Sequence, residues 1–172
     1  MFHYKQIKLE AVPKALAKAE RYRLLNEPEE AESICHDILG IDPNNQQALI
    51  TLILALTDTF HQASAAGALS RSRELLSRLS GEYERMYYEG VICERWAKAQ
   101  FNPHRPSPFA YHSLREAMAF YEKAESISPP DNNDAVLRWN ACARFIEGSS
   151  HLRAEQDSVA SEPGFGDEVP PR

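Results

Sequence analysis

The sequence predicts an all-α protein, and three observations support that prediction. Apolar residues recur at the three- and four-residue spacing of an amphipathic helix along most of the chain. The alternation of β-branched residues that is typical of strands is almost absent, and glycine is scarce before the C-terminal tail. One set of helical spacings also occurs twice, which indicates that a structural unit is repeated.

The repeated set places three residues on one helix face and a proline just beyond the helix end. Its two copies are Ala31, Cys35, Ile38 and Pro43, and Ala117, Tyr121, Ala124 and Pro129. Residues four and seven positions apart share a helix face, and proline cannot continue a helix. Each copy therefore predicts a helix that packs closely on a neighbour and then turns, and the two copies predict an array of helical hairpins.

Start and stop signals place the first hairpin at about residues 13–40. Pro13 suits the first turn of its first helix. Asn26 and Glu29 have the spacing of a capping box that opens the second helix. Gly40 is suited to end that helix in a left-handed conformation.

The second hairpin is predicted at about residues 46–80. Its first helix, about 46–60, is apolar nearly all round, so Ile50 and Leu54 need a cover. We expect the cover to be the N-terminal segment or a proline-rich insertion further along the chain, or else a helix of a partner protein. The second helix of this hairpin is predicted to end at Gly81.

The third hairpin is predicted at about residues 83–128, with a proline-rich insertion at 101–112. Three prolines in six residues exclude a regular helix in the insertion. Ser113 and Glu116 form a second capping box, which predicts the start of the hairpin's second helix. A final capping helix is predicted at about residues 134–147.

The two chain ends are predicted to lie outside this helical domain of residues 12–147. Residues 1–11 form an N-terminal segment that lacks the apolar stretch of a signal peptide. Residues 148–172 contain five acidic residues and two arginines, and too few apolar residues to offset the cost of ordering, which predicts a disordered acidic tail. The longest apolar stretch of the chain is too short to span a membrane.

Composition excludes several function classes. The net charge of the 172 residues is −6, and the tail contributes half of it, so the helical domain lacks the basic excess that nucleic-acid binding needs. The three cysteines are far apart in sequence, which favours buried thiols in a reducing cytoplasm over disulfides. The histidines lack metal-ligand spacing and the catalytic motifs are missing, so we predict no enzyme activity, no metal and no cofactor.

These features resemble the tetratricopeptide repeat (TPR) family, a helix–turn–helix repeat of about 34 residues. Ala19 and Tyr22 match the small residue and the aromatic of its first helix, the two copies of the repeated spacing match its second helix, and Gly90 matches the small residue of a later first helix. The resemblance covers about residues 12–147 and departs from the family's period in the second hairpin and at the insertion. It implies a right-handed α-α superhelix of about three hairpins plus the capping helix.

In the TPR family the first helices of the hairpins line a concave groove that binds a peptide or a helix. The residues that the resemblance places in this groove are Leu16, Glu20, Arg23, Ile50, Leu54, Thr57, Tyr87, Val91, Glu94, Arg95 and Arg138. This set is apolar in the middle with mixed charge at its ends. We expect the groove to be the binding site for another protein.

Aromatic residues are dense around the insertion. They are Tyr83, Tyr87, Tyr88, Trp96, Phe101, Phe109 and Tyr111. We predict that they pack the fifth helix against the insertion, and the alternative is an exposed aromatic ledge for a peptide. The insertion would then supply His104, Arg105, Phe109, Tyr111 and His112 as contacts.

The sequence thus predicts a cytoplasmic, non-enzymatic adaptor or scaffold that binds a peptide or helix of another protein. Two alternatives stay open. The same apolar surface could be buried in a homodimer. Or the chain could be a ligand-binding or catalytic helical domain with the insertion as its lid. Nucleic acid and membrane are not predicted partners.

Overall fold

The computed structural model describes residues 2–105 and 107–153. In these two stretches the chain forms seven α-helices and no β-strand, which confirms the all-α prediction for the described residues. A 3-10 turn at Leu9–Ala11 precedes the first helix. The helices are α1 (Val12–Leu24), α2 (Pro28–Ile41), α3 (Gln46–Asp58), α4 (Ala65–Leu76), α5 (Glu82–Gln100), α6 (Pro108–Ser126) and α7 (Asp134–Gly148).

Each helix packs against the next one in the sequence, from α1 to α7. Alternate helices also meet, because α1 contacts α3 and α3 contacts α5. One core lies mainly between α5, α6 and α7, and a second lies between α1 and α5. Tyr88 packs against both cores and links them.

The repeated spacing marks the most closely packed helix faces. Its six helical residues, three on α2 and three on α6, are all fully buried. The prolines follow α2 and α6 within three residues of their ends, in the turns that lead to the next helix. The prediction of two tightly packed helices that each end before a turn is therefore confirmed.

The apolar helix α3 lies at the centre of the second core, between α1 and α5. It contacts α1, α2, α4 and α5, and most of its residues are buried. Ile50 and Leu54 are half-buried against the two cores. Four neighbouring helices of the same chain contact α3 and supply part of the cover that these two residues need. Cover of their remaining exposed surface by a partner stays a prediction.

The turn between α1 and α2 is built by the left-handed conformation of Asn26, which has φ 61°. The Asn26 amide donates to the Arg23 carbonyl over 3.0 Å, and the Glu27 amide donates to the Tyr22 carbonyl over 2.9 Å. This pair of bonds is a Schellman motif. Asn26 therefore ends α1, and the prediction that it caps α2 is wrong, since α2 has Glu27 at its N-cap and no side-chain capping bond.

We expect Asn26→Ala to lower the free energy of unfolding by about 1 kcal/mol, because alanine adopts the left-handed region at higher cost than asparagine. Asn26→Gly is the matched control and should be as stable as the parent protein or more stable, because glycine adopts this conformation without strain. Urea unfolding followed by circular dichroism measures both. Equal losses for the two variants would contradict the role given to the backbone of Asn26.

Two other predicted helix ends, at Gly40 and Gly81, are wrong. Gly40 lies inside α2, which continues to Ile41, and no described glycine has a positive φ. Gly81 is the N-cap residue of α5, and α4 already ends at Leu76.

The insertion is shorter than predicted. α6 begins at Pro108, which occupies its first turn, so the described irregular residues are 101–105 and 107. Ser113 is buried within α6, and the predicted capping box with Glu116 is wrong.

At the other end, α7 extends to Gly148, and a helical turn at 150–153 buries Leu152 in the core. The predicted disordered tail therefore starts no earlier than residue 154, and residues 154–172 lie outside the described part of the chain.

Candidate functional site

Side chains from α1, α3, α5 and α7 meet on one surface, which we call the polar face. Its charged members are Arg23, Asp58, Glu94, Arg95, Lys98 and Arg138. They belong to the alternate helices of the chain, which is where the groove was predicted. Two carboxylates organise the polar face, one on α3 and one on α5.

Asp58, at the C-terminus of α3, binds an arginine from the helix on either side. Arg23 of α1 donates from Nε to Asp58 Oδ2 over 2.8 Å, and Arg95 of α5 donates from Nη1 to Asp58 Oδ1. Arg95 also donates to the Thr57 hydroxyl over 2.7 Å and to the Leu54 carbonyl over 3.4 Å. One carboxylate therefore joins three helices that are not consecutive in the sequence.

Glu94, on α5, is the buried centre of the second half of the polar face, with 1% of its surface exposed. It accepts from Lys98 Nζ over 2.6 Å, from the Tyr121 hydroxyl over 2.6 Å and from Arg138 Nη1 over 3.3 Å. These donors belong to α5, α6 and α7. A buried carboxylate with three donors from three helices is satisfied, and it fixes how these helices are rotated against one another.

Burial and these hydrogen bonds shift the pKa values of several polar-face residues. Burial alone raises the pKa of Glu94, but the hydrogen bonds from Lys98 and Tyr121 and the charge of Arg138 outweigh it, so the pKa lies below its ordinary value. Burial also lowers the pKa of Arg95, against the opposing charge of Asp58. Burial and the neighbouring Glu94 carboxylate raise the pKa of Tyr121, which keeps its hydroxyl a donor.

The polar face carries an excess of positive charge. Four cations share two carboxylates, and the four cationic side chains keep between 18% and 35% of their surface exposed. Partly exposed guanidinium groups with donors to spare are well suited to bind carboxylates. The arrangement therefore presents cationic hydrogen-bond donors from several helices, which suit an anionic group.

The structure brings part of the predicted groove together. Arg23, Thr57, Glu94, Arg95 and Arg138 all belong to the polar-face network. Sequence reasoning missed its three other members, which are Asp58, Lys98 and Tyr121. The four-residue spacing of Glu94 and Lys98 on one helix was a signal for that ion pair.

The apolar residues of the predicted groove are mostly packed between the described helices. Val91 is fully buried, and Leu16, Ile50 and Leu54 pack against the cores as half-buried residues. Glu20 is exposed on α1 and accepts a hydrogen bond from Gln47 over 3.2 Å.

The aromatic residues separate into different places, so the predicted packing against the insertion is incomplete. Tyr87 contacts Tyr83, Tyr88 and Tyr121, with ring centroids 5.1 to 5.9 Å apart, beside the second half of the polar face. Two other pairs lie elsewhere in the chain: Trp96 meets Phe60, and Phe101 meets Phe145. Tyr87 and Phe145 therefore both adjoin the cations: Tyr87 lies beside Arg138, and Lys98 Nζ lies 5.3 Å from the centre of the Phe145 ring.

The residues predicted as contacts from the insertion have different surroundings. Tyr111 is buried in the core between α5, α6 and α7, whereas His104, Arg105 and His112 are exposed, and Phe109 keeps 55% of its surface exposed. Phe109, Tyr111 and His112 belong to α6 and not to an irregular loop.

The described residues offer little for metal or thiol chemistry. Within 2–105 and 107–153, no three histidine, cysteine or acidic side chains are grouped to hold a metal ion. The thiols of Cys35, Cys93 and Cys142 are buried, and burial raises the pKa of each to about 12. No helix in the described stretches is long and apolar enough to cross a membrane.

Comparison with known proteins finds no matching family model, no similar curated protein and no similar solved structure.

Proposed function

We propose that this chain is a non-enzymatic adaptor that binds a peptide or helix of another protein on the polar face, in the cytoplasm. The observation that carries the proposal is the convergence of side chains from α1, α3, α5 and α7 on one surface. Such a surface extends along the stack and is suited to an elongated ligand.

We further propose that the helices form a right-handed TPR-like superhelix in which α1, α3, α5 and α7 are the first helices. The contacts of α1 with α3 and of α3 with α5 support this arrangement, because stacked hairpins place their first helices side by side. The close approach of α5 and α6 at Gly90 and Tyr121 supports it as well, since these two positions match the small and large residues of the family's pattern.

The charge of the polar face supports a partner with an acidic segment. Four partly exposed cations around two carboxylates favour an acidic segment, and the neighbouring ring of Tyr87 offers a place for an apolar side chain. We expect binding to weaken as ionic strength rises, because the cations are near the surface.

The test is affinity purification of the full chain with mass spectrometry, using conservative neutralisations. Arg23→Gln and Arg138→Gln are expected to lose an acidic partner that the parent protein captures. The matched control is Arg71→Gln, because Arg71 also pairs with one carboxylate, Glu32, but lies on α4. A set of captured proteins that is the same for all three variants and the parent contradicts the proposal, as does the absence of any specific partner.

A further inference from the structure

The outer surface of α1 carries an unusual concentration of positive charge. α1 contains four cations and one carboxylate, and three of the cations, Lys14, Lys18 and Arg21, are exposed on one stripe of the helix. None of these three forms an ion pair with another described residue, whereas Arg23 faces the opposite side and binds Asp58. Three like charges on neighbouring turns repel one another unless a counter-charge covers them.

Two exposed leucines lie at one end of the same stripe. Leu24 keeps 88% of its surface exposed and Leu25 keeps 57%, at the C-terminal end of α1. Leu25 continues the four- and three-residue spacing of the exposed cations, and a shallow depression lies beside it, lined by Ala17, Lys18, Arg21, Tyr22 and Leu25. Two adjacent exposed leucines beside a basic stripe are typical of a surface that another segment covers. We call this stripe the α1 outer surface.

We propose that residues 154–172 of the same chain dock on the α1 outer surface. This segment contains five acidic residues and one arginine, so its charge is opposite to that of the stripe. It also contains Phe165, between two glycines, and Val169, which are candidates for contact with Leu24 and Leu25. The acidic residues would pair with the exposed cations while the aromatic ring covers the leucines.

Helix α2 is the other acidic part of the chain, and two of its carboxylates bind side chains outside α1. α2 carries four carboxylates and no lysine or arginine. Its Glu32 binds Arg71 of α4, and its Glu29 accepts a hydrogen bond from Gln62 over 2.9 Å. Glu29 and Glu32 therefore face α4 and the segment before it, and the acidic residues of 154–172 are another source of negative charge in the chain.

The segment is long enough to reach α1. Nineteen residues follow Arg153 in the sequence, and extended chain spans at most about 3.3 Å per residue, so their reach is about 60 Å. A compact domain of about 150 residues has a radius of gyration near 15 Å. Even the twelve residues from Arg153 to Phe165 can extend across such a domain.

Paramagnetic relaxation measured by NMR on the full chain tests the proposal. The three native thiols are buried, so a nitroxide attached to Ser161→Cys labels one site. With the label, the amide signals of residues 17–25 are expected to lose most of their intensity, while those of α4 keep theirs. High salt, or the double change Lys18→Glu and Arg21→Glu, is expected to restore the α1 signals because it removes the attraction.

A matched variant and a mixing experiment separate this proposal from its alternatives. Arg71→Glu with Arg73→Glu makes the same charge change on α4 and is expected to leave the attenuation of α1 intact. Mixing nitroxide-labelled chains with unlabelled, isotope-enriched chains detects docking on a second copy. Attenuation in that mixture, attenuation centred on Arg95 and Arg138, or unaffected α1 signals would each overturn the assignment.

Discussion

Glu94→Ala is expected to lower the free energy of unfolding by about 3 kcal/mol, because removing one partner of a buried charge network leaves the others uncompensated. The largest part of this loss comes from the Tyr121 hydroxyl, which is fully buried and would be left without its acceptor. Lys98 and Arg138 are about one third exposed and can turn to water, which places the expected loss at the lower end of the range. Urea unfolding at neutral pH measures it.

Glu116→Ala on α6 is the control, because Glu116 is exposed and a surface substitution changes stability by about 0.5 kcal/mol or less. If both alanine variants were equally stable, Glu94 would have no organising role in the fold.

The charge of Glu94 also gives stability a dependence on pH. The pKa of this group is lower in the folded chain than its ordinary 4.5, so its charge stabilises the fold above about pH 4.5. This contribution is lost as the pH falls through the lower folded value. Glu94→Gln, which cannot titrate, should therefore show a smaller decrease in stability between neutral and acidic pH than the parent protein. Parallel decreases would show that other carboxylates govern the acid response.

Gly90→Ala is expected to lower the free energy of unfolding by about 2 kcal/mol through overpacking. An added Cβ at Gly90 would lie 2.6 Å from Cε1 and 2.8 Å from Cδ1 of Tyr121. Alanine has the better helix propensity by about 1 kcal/mol, so the sign depends on whether the ring can move. The ring is fully buried and its hydroxyl is held by Glu94, so we expect the clash to prevail.

Gly40→Ala is the matched control for this substitution. Gly40 also lies inside a helix, but an added Cβ there meets nothing within 4 Å. The change should therefore raise stability by about 0.5–1 kcal/mol through helix propensity alone. Thermal and urea unfolding of the two variants measure the difference, and an equal gain in both would contradict the tight contact of α5 with α6.

The sequence was sufficient to predict the helices and their most buried faces, because helical periodicity is a local property. The six helical residues of the repeated spacing are all fully buried. The ends of helices were less predictable, because several residues compete for the same role. Pro108 starts α6 five residues before the expected cap at Ser113, and Asn26 ends a helix that it was expected to follow.

The polar face could be predicted only in part for a different reason. Family resemblance indicated which helices share a surface, but pairing between side chains depends on how each helix is rotated about its axis. Asp58 is adjacent to the predicted Thr57 and organises half of the polar face, yet its sequence neighbourhood contains no charged partner at helical spacing. Tyr121 was assigned to packing alone, and the structure adds its hydrogen bond to Glu94.

The position of Asp58 between two arginines has a mechanical consequence. In the proposed stack each hairpin contacts only its neighbours, so the stack is expected to bend most easily along its length. A carboxylate on the middle helix that binds Arg23 on one side and Arg95 on the other resists that bending from both directions. The side chains of Arg23, Asp58 and Arg95 have already lost rotamer freedom through these bonds. Binding of a ligand to them would therefore cost less side-chain entropy.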